Sequence, residues 1–398
     1  MRLEDSTFNL QLANPHPLRA PTPLTPPIAR QYNGESRRPA YGERCTMDRS
    51  TVWVLVGTGA GAYLLVNDHH QGWQRQGPFL PEHHINCLVI DTRTSAAPET
   101  LFAGGPSGLF RSRDGGGSWR QLTDGLIFDQ VWSVEPGHSA HPGRIYCGVE
   151  PAGLFVSDDD GEHWAPVHGL NQHETHDEWW PGGGGLCLHT ILLDPSNPEC
   201  QFVGISVAGV FRSEDGGTTW TPLNEGVPLP DDPGNVRFPQ VHRCVHKFVR
   251  DANQPECLFQ QNHVGVFESR DGGATWADIG AGLPHTFGFA IAAHPHESDI
   301  FWVIPADEKR LRIEGQLTVW RRQQGCWEPL TVGLPADVAL NVYRDGFATD
   351  CRLPCGLYFG TSDGTLWYSP DEGNHWEPLA QGLPPIYSVK AVTWPTAL

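Results

Sequence analysis

The sequence predicts an all-β chain, a seven-bladed β-propeller of four-stranded antiparallel blades whose first blade is closed by the C-terminal strand. Three observations predict it: the composition, a motif that returns at a regular interval, and chain ends that each supply part of one repeat. Of 398 residues, 45 are Gly and 35 Pro, yet 15 are Trp, 17 Phe and 8 Tyr. So much Gly and Pro alone would suggest disorder, but disordered chains are poor in aromatics. Only 18% of residues are charged and two are Met, which excludes a Leu/Lys/Glu-rich helical bundle. Many short strands joined by Gly/Pro turns satisfy both facts.

The motif is Ser-x-Asp-x-Gly-x-x-Trp. It is complete at Ser112/Asp114/Gly116/Trp119, Ser157/Asp159/Gly161/Trp164, Ser213/Asp215/Gly217/Trp220, Ser269/Asp271/Gly273/Trp276 and Ser369/Asp371/Gly373/Trp376. Two worn copies end at Trp73, which keeps the Asp68 spacing, and at Trp327, which follows VWRRQQGC and has lost the Asp. The seven Trp are 45 to 56 residues apart, close to the length of one propeller blade. Each unit reads in the same order. An inner strand (INCLVID, HTILLDP) precedes a second strand (TLFAG, RIYCG, QFVGI), and a Gly turn leads to GLFRS or GVFRS. The box forms the next turn and its Trp opens the outer strand. Ser and Asp side chains accept backbone N–H bonds in such turns, Gly supplies positive φ, and the Trp buries a large ring between blades. The box therefore explains itself structurally, without catalysis.

Closure is legible as well. The first repeat begins at Thr51 with a second-strand pattern, TVWVLVG, and has no inner strand of its own. The last box is followed by IYSVKAVTWP, an inner-strand pattern without a partner. The C-terminal strand should complete the first blade beside Val52–Val56 and remove the open edges. Residues 1–46 stand apart as a disordered, Pro-rich N-terminal tail with Pro at 15, 17, 21, 23, 26 and 27. The propeller occupies 47–398.

On these five boxes, over about 51–398, the chain resembles the BNR/Asp-box propellers. That superfamily includes sialidases, xyloglucan-cleaving glycosidases, sortilin-type receptors and photosystem II assembly factors. WWPGGGGLCLHT, VGISVAGVFRSEDGG, CVHKFV and QNHVGVFESRDGG are similar to a bacterial group commonly called glycosyl hydrolase or exo-sialidase. The resemblance implies architecture far more than activity, because one fold hosts many chemistries. A sialidase would need an arginine triad, a Tyr–Glu nucleophile pair and an Arg-Ile-Pro motif on a six-bladed ring. Neither the motif nor a set built on Arg243 and Arg344 is present. A xyloglucanase-like enzyme would need two carboxylates flanking the sugar, for which Glu150, Asp177, Glu178, Asp231 and Asp232 are available.

With 46 acidic and 27 basic residues, the net charge is −19. Such a surface disfavours nucleic acid and anionic membranes, and no apolar run reaches the ~20 residues of a spanning helix. The ten Cys contain no CxxC pair, and most read as small buried thiols of a reducing compartment. A cytoplasmic monomer with a protein, small-molecule or carbohydrate ligand is expected.

Two crossings between blades are long: Ala165–Leu188 and Thr221–Arg243. They serve adjacent blades and should roof one sector, and long loops tend to carry function. Beneath them the sequence places His189 and His246 at matching points of two inner strands, Asn262 and His263 in a short top loop, and Glu150 in the corresponding loop of the third blade. His242 and Cys187 are near in sequence. His189, His246 and His263 are candidate ligands for a divalent transition metal. With Glu150 they are also candidate general acids and bases. Trp179, Trp180, Asn262 and Arg243 are the candidate substrate-binding residues. The reading is a rigid binding scaffold with a polar pocket that takes a metal. The alternative is a hydrolase, glycoside hydrolase-like or His/metal-dependent, acting at the same pocket.

Overall fold

Seven four-stranded antiparallel sheets succeed one another along the chain in the computed structural model. It describes residues 50–68, 72–93, 100–128, 130–181, 184–229 and 237–394; the expected tail at 1–46, and Asp231 and Asp232, lie outside the described residues. Blade 2 is typical: Cys87–Ile90, Leu101–Gly105, Gly108–Ser112 and Arg120–Leu122 pair in sequence order from the axis outward. Blades 3, 4 and 5 begin with Gln130–Pro136, Leu188–Leu193 and Lys247–Arg250, and blades 6 and 7 with Gly288–Ala293 and Phe347–Thr349. The inner strands neighbour one another around a full circle. Middle strands such as Leu101–Gly105 and Phe301–Pro305 are buried at every residue. A blade packed on both faces by its neighbours has no solvent side to alternate with.

The ring closes as expected. Ile386–Trp394 forms the inner strand of blade 1 and pairs antiparallel with Thr51–Thr58, from Thr51 opposite Trp394 to Val56 opposite Val389.

Each intact box closes its turn with local hydrogen bonds. In blade 4, Ser213 Oγ accepts from Gly217 N and donates to Asp215 Oδ1, and Asp215 Oδ1 accepts from Thr219 N. The Ser bonds recur at Ser112, Ser157, Ser269 and Ser369. Asp114, Asp159, Asp271 and Asp371 likewise each accept the N–H four residues on, from Ser118, His163, Thr275 and His375. All five box glycines need the left-handed region: φ is +100° at Gly116, +85° at Gly161, +93° at Gly217, +90° at Gly273 and +91° at Gly373.

The tryptophans are less uniform than the repeat suggests. Trp119, Trp164 and Trp220 each donate Nε1–H to the carbonyl of their own box glycine, Gly116, Gly161 and Gly217. Trp276 does not: its Nε1 reaches back to Leu223 O on the preceding blade, at 2.9 Å. Trp376 is 1% exposed, and its Nε1 meets no acceptor among the described residues. The expectation that every box ring is buried between blades is corrected at Trp119. That ring is only half-buried, tilted against Phe79 at 6.4 Å. The rings of Trp164, Trp220, Trp276 and Trp376 are buried.

Blade 6, where the box is worn away, solves the same turn differently. Gln324 and Gly325, both with positive φ, form a two-residue hairpin between Val319–Gln323 and Cys326–Leu330. An extra two-stranded sheet, Ile313–Gly315 with Val338–Leu340, is added on this blade. Among the described residues, no helix is long and apolar enough to cross a membrane. The nine described cysteines are all unpaired.

Candidate functional site

The two long crossings meet over blades 4 and 5. His242 Nε2 of the second lies 3.5 Å from Glu178 Oε2 of the first. Val241 and Phe238 pack in one cluster with Trp179 and Leu170. Asn224 Nδ2 donates to Gln240 O, and Arg243 donates to the Val227 and Val241 carbonyls, pinning the second crossing to itself.

Three candidates expected to contact ligand are instead structural. Trp179 is 5% exposed, donates to Thr175 Oγ1 and packs edge-on against Phe211, so its ring is no sugar platform. Asn262 is fully buried, its Oδ1 taken by Val264 N and Gly265 N to shape the top loop. Arg243 directs Nε–H and Nη1–H to the Val227 and Val241 carbonyls. Trp180, by contrast, is 66% exposed.

The expected set of three imidazoles does not assemble around one point. His189 is fully buried, with Nδ1 2.9 Å from Thr190 Oγ1 and Nε2 3.0 Å from Val245 O. Both nitrogens are engaged, and the residue borders the axial channel. Burial, then the charges of Arg344 and Lys247, push its pKa well below the ordinary value. That channel, a cavity of 250 Å³, also holds Glu135, Lys247, Asp345 and Lys390. Lys247 Nζ contacts Asp345 Oδ1 directly.

His246 and His263 do come together, in a separate cavity of 430 Å³ on the loop-rich face. Gly185 and Ser206 line it from blade 4, Cys244, His246 and His263 from blade 5, Phe287, Phe289 and Leu311 from blade 6, and Arg344 from the approach to blade 7. No box residue lines this cavity or the channel. His246 stacks on Phe289 at 4.7 Å, and His263 meets Phe287 edge-on at 5.2 Å. His246 Nδ1 donates to Gly288 O at 2.6 Å, which leaves Nε2 as the acceptor. Burial, then Arg344, bring the His246 pKa down to about 3. Burial pushes the Cys244 thiol up to about 11, against the pull of Arg344. Glu150 stands at the edge. Its Oε2 accepts from Gln130 Nε2 at 2.5 Å and Trp132 Nε1 at 2.6 Å. Gly185, at φ +87°, passes so close that a Cβ there would sit 2.2 Å from Oε1.

Sequence reasoning missed Cys244, Phe287 and Phe289 and gave Arg344 no site role. Cys244 and His246 are two apart on the approach to an inner strand, so period-2 alternation could have flagged them as facing one way. Arg344 stacks over Trp132 and donates to Cys187 Sγ at 3.1 Å, and among the described residues it makes no ion pair. Nothing local announces that role.

Fold and site together define a seven-bladed propeller with an aromatic-walled, Arg- and His-bearing cavity on its loop-rich face. No protein-family model matches the chain. It is similar to a xyloglucanase from a Paenibacillus species, 24% identical over 305 residues, covering 68% of this chain and 29% of the relative. A shorter similarity, 27% over 97 residues, joins it to an oligoxyloglucan-reducing end-specific xyloglucanase of Emericella nidulans, covering 24% of this chain and 11% of that protein. Among solved structures, the GH74 xyloglucanase from Xanthomonas campestris superposes with TM-score 0.55 at 17% identity, over 83% of this chain and 47% of that one. The chain thus spans less than a third of the curated relatives and under half of the solved one, and shares the propeller fold with it.

Proposed function

We propose that the protein acts on carbohydrate, as a glycoside hydrolase-like propeller that seats a short saccharide in the Phe287/Phe289 cavity. The cavity itself carries this reading: apolar aromatic walls with a few convergent polar groups are what a small-ligand site requires. The apolar faces of sugar rings pack on aromatic rings, and Arg344 and His263 offer donors to hydroxyls. The similarity to xyloglucanases supports the substrate class. Cleavage of a glycosidic bond uses two carboxylates on opposite sides of it. Glu150 lies behind Gly185, and Glu308 lies 3.7 Å from His263 Nε2; in this reading they bracket the cavity from blades 3 and 6.

One observation favours a second reading, a pure binding scaffold: no carboxylate is among the described residues lining the cavity. Reducing-end release from xyloglucan oligosaccharides, measured beside calorimetric binding, separates the two. The hydrolase reading expects release by the wild type, and a loss of ~100-fold or more in Glu150→Gln with binding retained. Binding without release supports the scaffold. Neither binding nor release removes carbohydrate from the account.

A further inference from the structure

We infer that Cys244, His246 and His263 form a binding site for a zinc-type divalent transition ion on the wall of the 430 Å³ cavity, with the fourth coordination position open to that cavity. Their candidate ligand atoms, one thiol sulfur and two ring nitrogens, all lie within 4.8 Å of one another. A tetrahedral zinc with Zn–S of about 2.3 Å and Zn–N of about 2.0 Å needs only a small inward movement of such a set. The His263 side chain, from which that movement would come, is 46% exposed.

The hydrogen bonding selects this cluster over the two others in the described residues. His246 Nδ1–H donates a hydrogen bond to Gly288 O, so the Nε2 lone pair is the one presented. A backbone carbonyl behind a ligating imidazole is the usual outer partner that fixes its tautomer. Glu308 Oε1 lies 3.7 Å from His263 Nε2, an ion-pair distance rather than a hydrogen bond. At His294, Cys355 and Glu372 the pattern is reversed. His294 Nδ1 accepts from His296 N and Glu297 N, so Nε2 carries the proton and faces Glu372 as a donor. At Asp251, Cys257 and Asp299, the Asp251 carboxylate is already filled by Asn253 N, Gln254 N, Ser298 Oγ and Asp299 N. Among the three, the cavity cluster presents the His246 Nε2 lone pair and opens onto a space where water or a substrate oxygen fits. One thiolate with two neutral imidazoles suits zinc or cobalt(II) better than magnesium or calcium, which take oxygen ligands.

The site stands independently of the carbohydrate reading, and its test uses no sugar. The full chain is stripped with chelator, titrated with Zn²⁺, and separately loaded with Co²⁺ and read by absorption. The expected result is one equivalent bound per chain, with tetrahedral d–d bands and a thiolate-to-cobalt charge-transfer band. Cys244→Ser should lose the charge-transfer band, and His263→Ala should weaken binding by about 100-fold or more. His138→Gln, whose ring bonds Pro195 O away from the site, should bind as the wild type does. Failure to bind Zn²⁺, or unchanged affinity and cobalt spectrum in both ligand variants, would overturn the inference. Either result leaves the saccharide assays of the preceding section to stand or fall alone.

Discussion

Removing the chain after Gln381 should abolish cooperative folding. The lost segment contains the inner strand Ile386–Trp394, which makes eight partner pairs with Thr51–Thr58. It also ties blade 7 to blade 1, since Val389 N donates to Asp345 O at 2.7 Å and Ile386 packs directly on Gly360. Ile386 and Val389 are fully buried, at about 1.5–3 kcal/mol each. A net contribution of about 1 kcal/mol per ladder hydrogen bond brings the loss to the order of 10 kcal/mol. That is comparable with the whole stability of a typical domain, about 5–15 kcal/mol. The point variant Ile386→Ala isolates one part of the effect, at about 2–5 kcal/mol. With a urea m value of about 3 kcal/mol/M, its midpoint should fall by about 1 M. Urea unfolding followed by Trp fluorescence reads both, and adding the Ile386–Trp394 peptide in trans should partly restore the truncated ring. A truncated chain that unfolds cooperatively at the full-length midpoint, or an Ile386→Ala midpoint within ~0.3 M of wild type, would refute the closure argument.

Two further outcomes follow from the axial channel. Lys247→Met alone should cost about 3–5 kcal/mol because Asp345 is left buried beside Glu135, whereas Lys247→Met with Asp345→Leu should cost much less; additive losses in a double-mutant cycle by urea unfolding would contradict this. The folded-state pKa of His189 lies below the unfolded value of 6.5, so the unfolded chain takes up more protons beneath that pH. Stability fully present above pH 6.5 therefore declines as pH falls through it. His189→Gln should flatten the fall in urea midpoint between pH 7 and about 4, and parallel slopes in the two proteins would count against it.

The ring was legible in the sequence because everything that specifies it is local. A box spans eight residues, its Ser and Asp hydrogen bonds close within the turn, and its Trp marks the outer strand, so five intact copies give the repeat and the odd chain ends give closure. What each Trp does was less legible: Trp276 finds its acceptor on the blade before it, and Trp119 stays half-buried against Phe79. The two crossings were legible from length alone. The site was only half legible. His246 and His263 were found, but His189, at the matching strand position, satisfies both nitrogens on Thr190 and Val245. Asn262 and Trp179 look like ligand contacts in sequence and are a turn former and a loop anchor. What brings Arg344 beside Cys187, or Lys247 against Asp345, is the meeting of segments 157 and 98 residues apart. Those approaches depend on how far each blade is rotated about the axis and how each crossing folds back. Local pattern therefore determined the number, order and closure of the blades. Only the packed ring decided which side chains face the cavity, because a side chain's direction there is set by neighbours that the chain reaches from another blade.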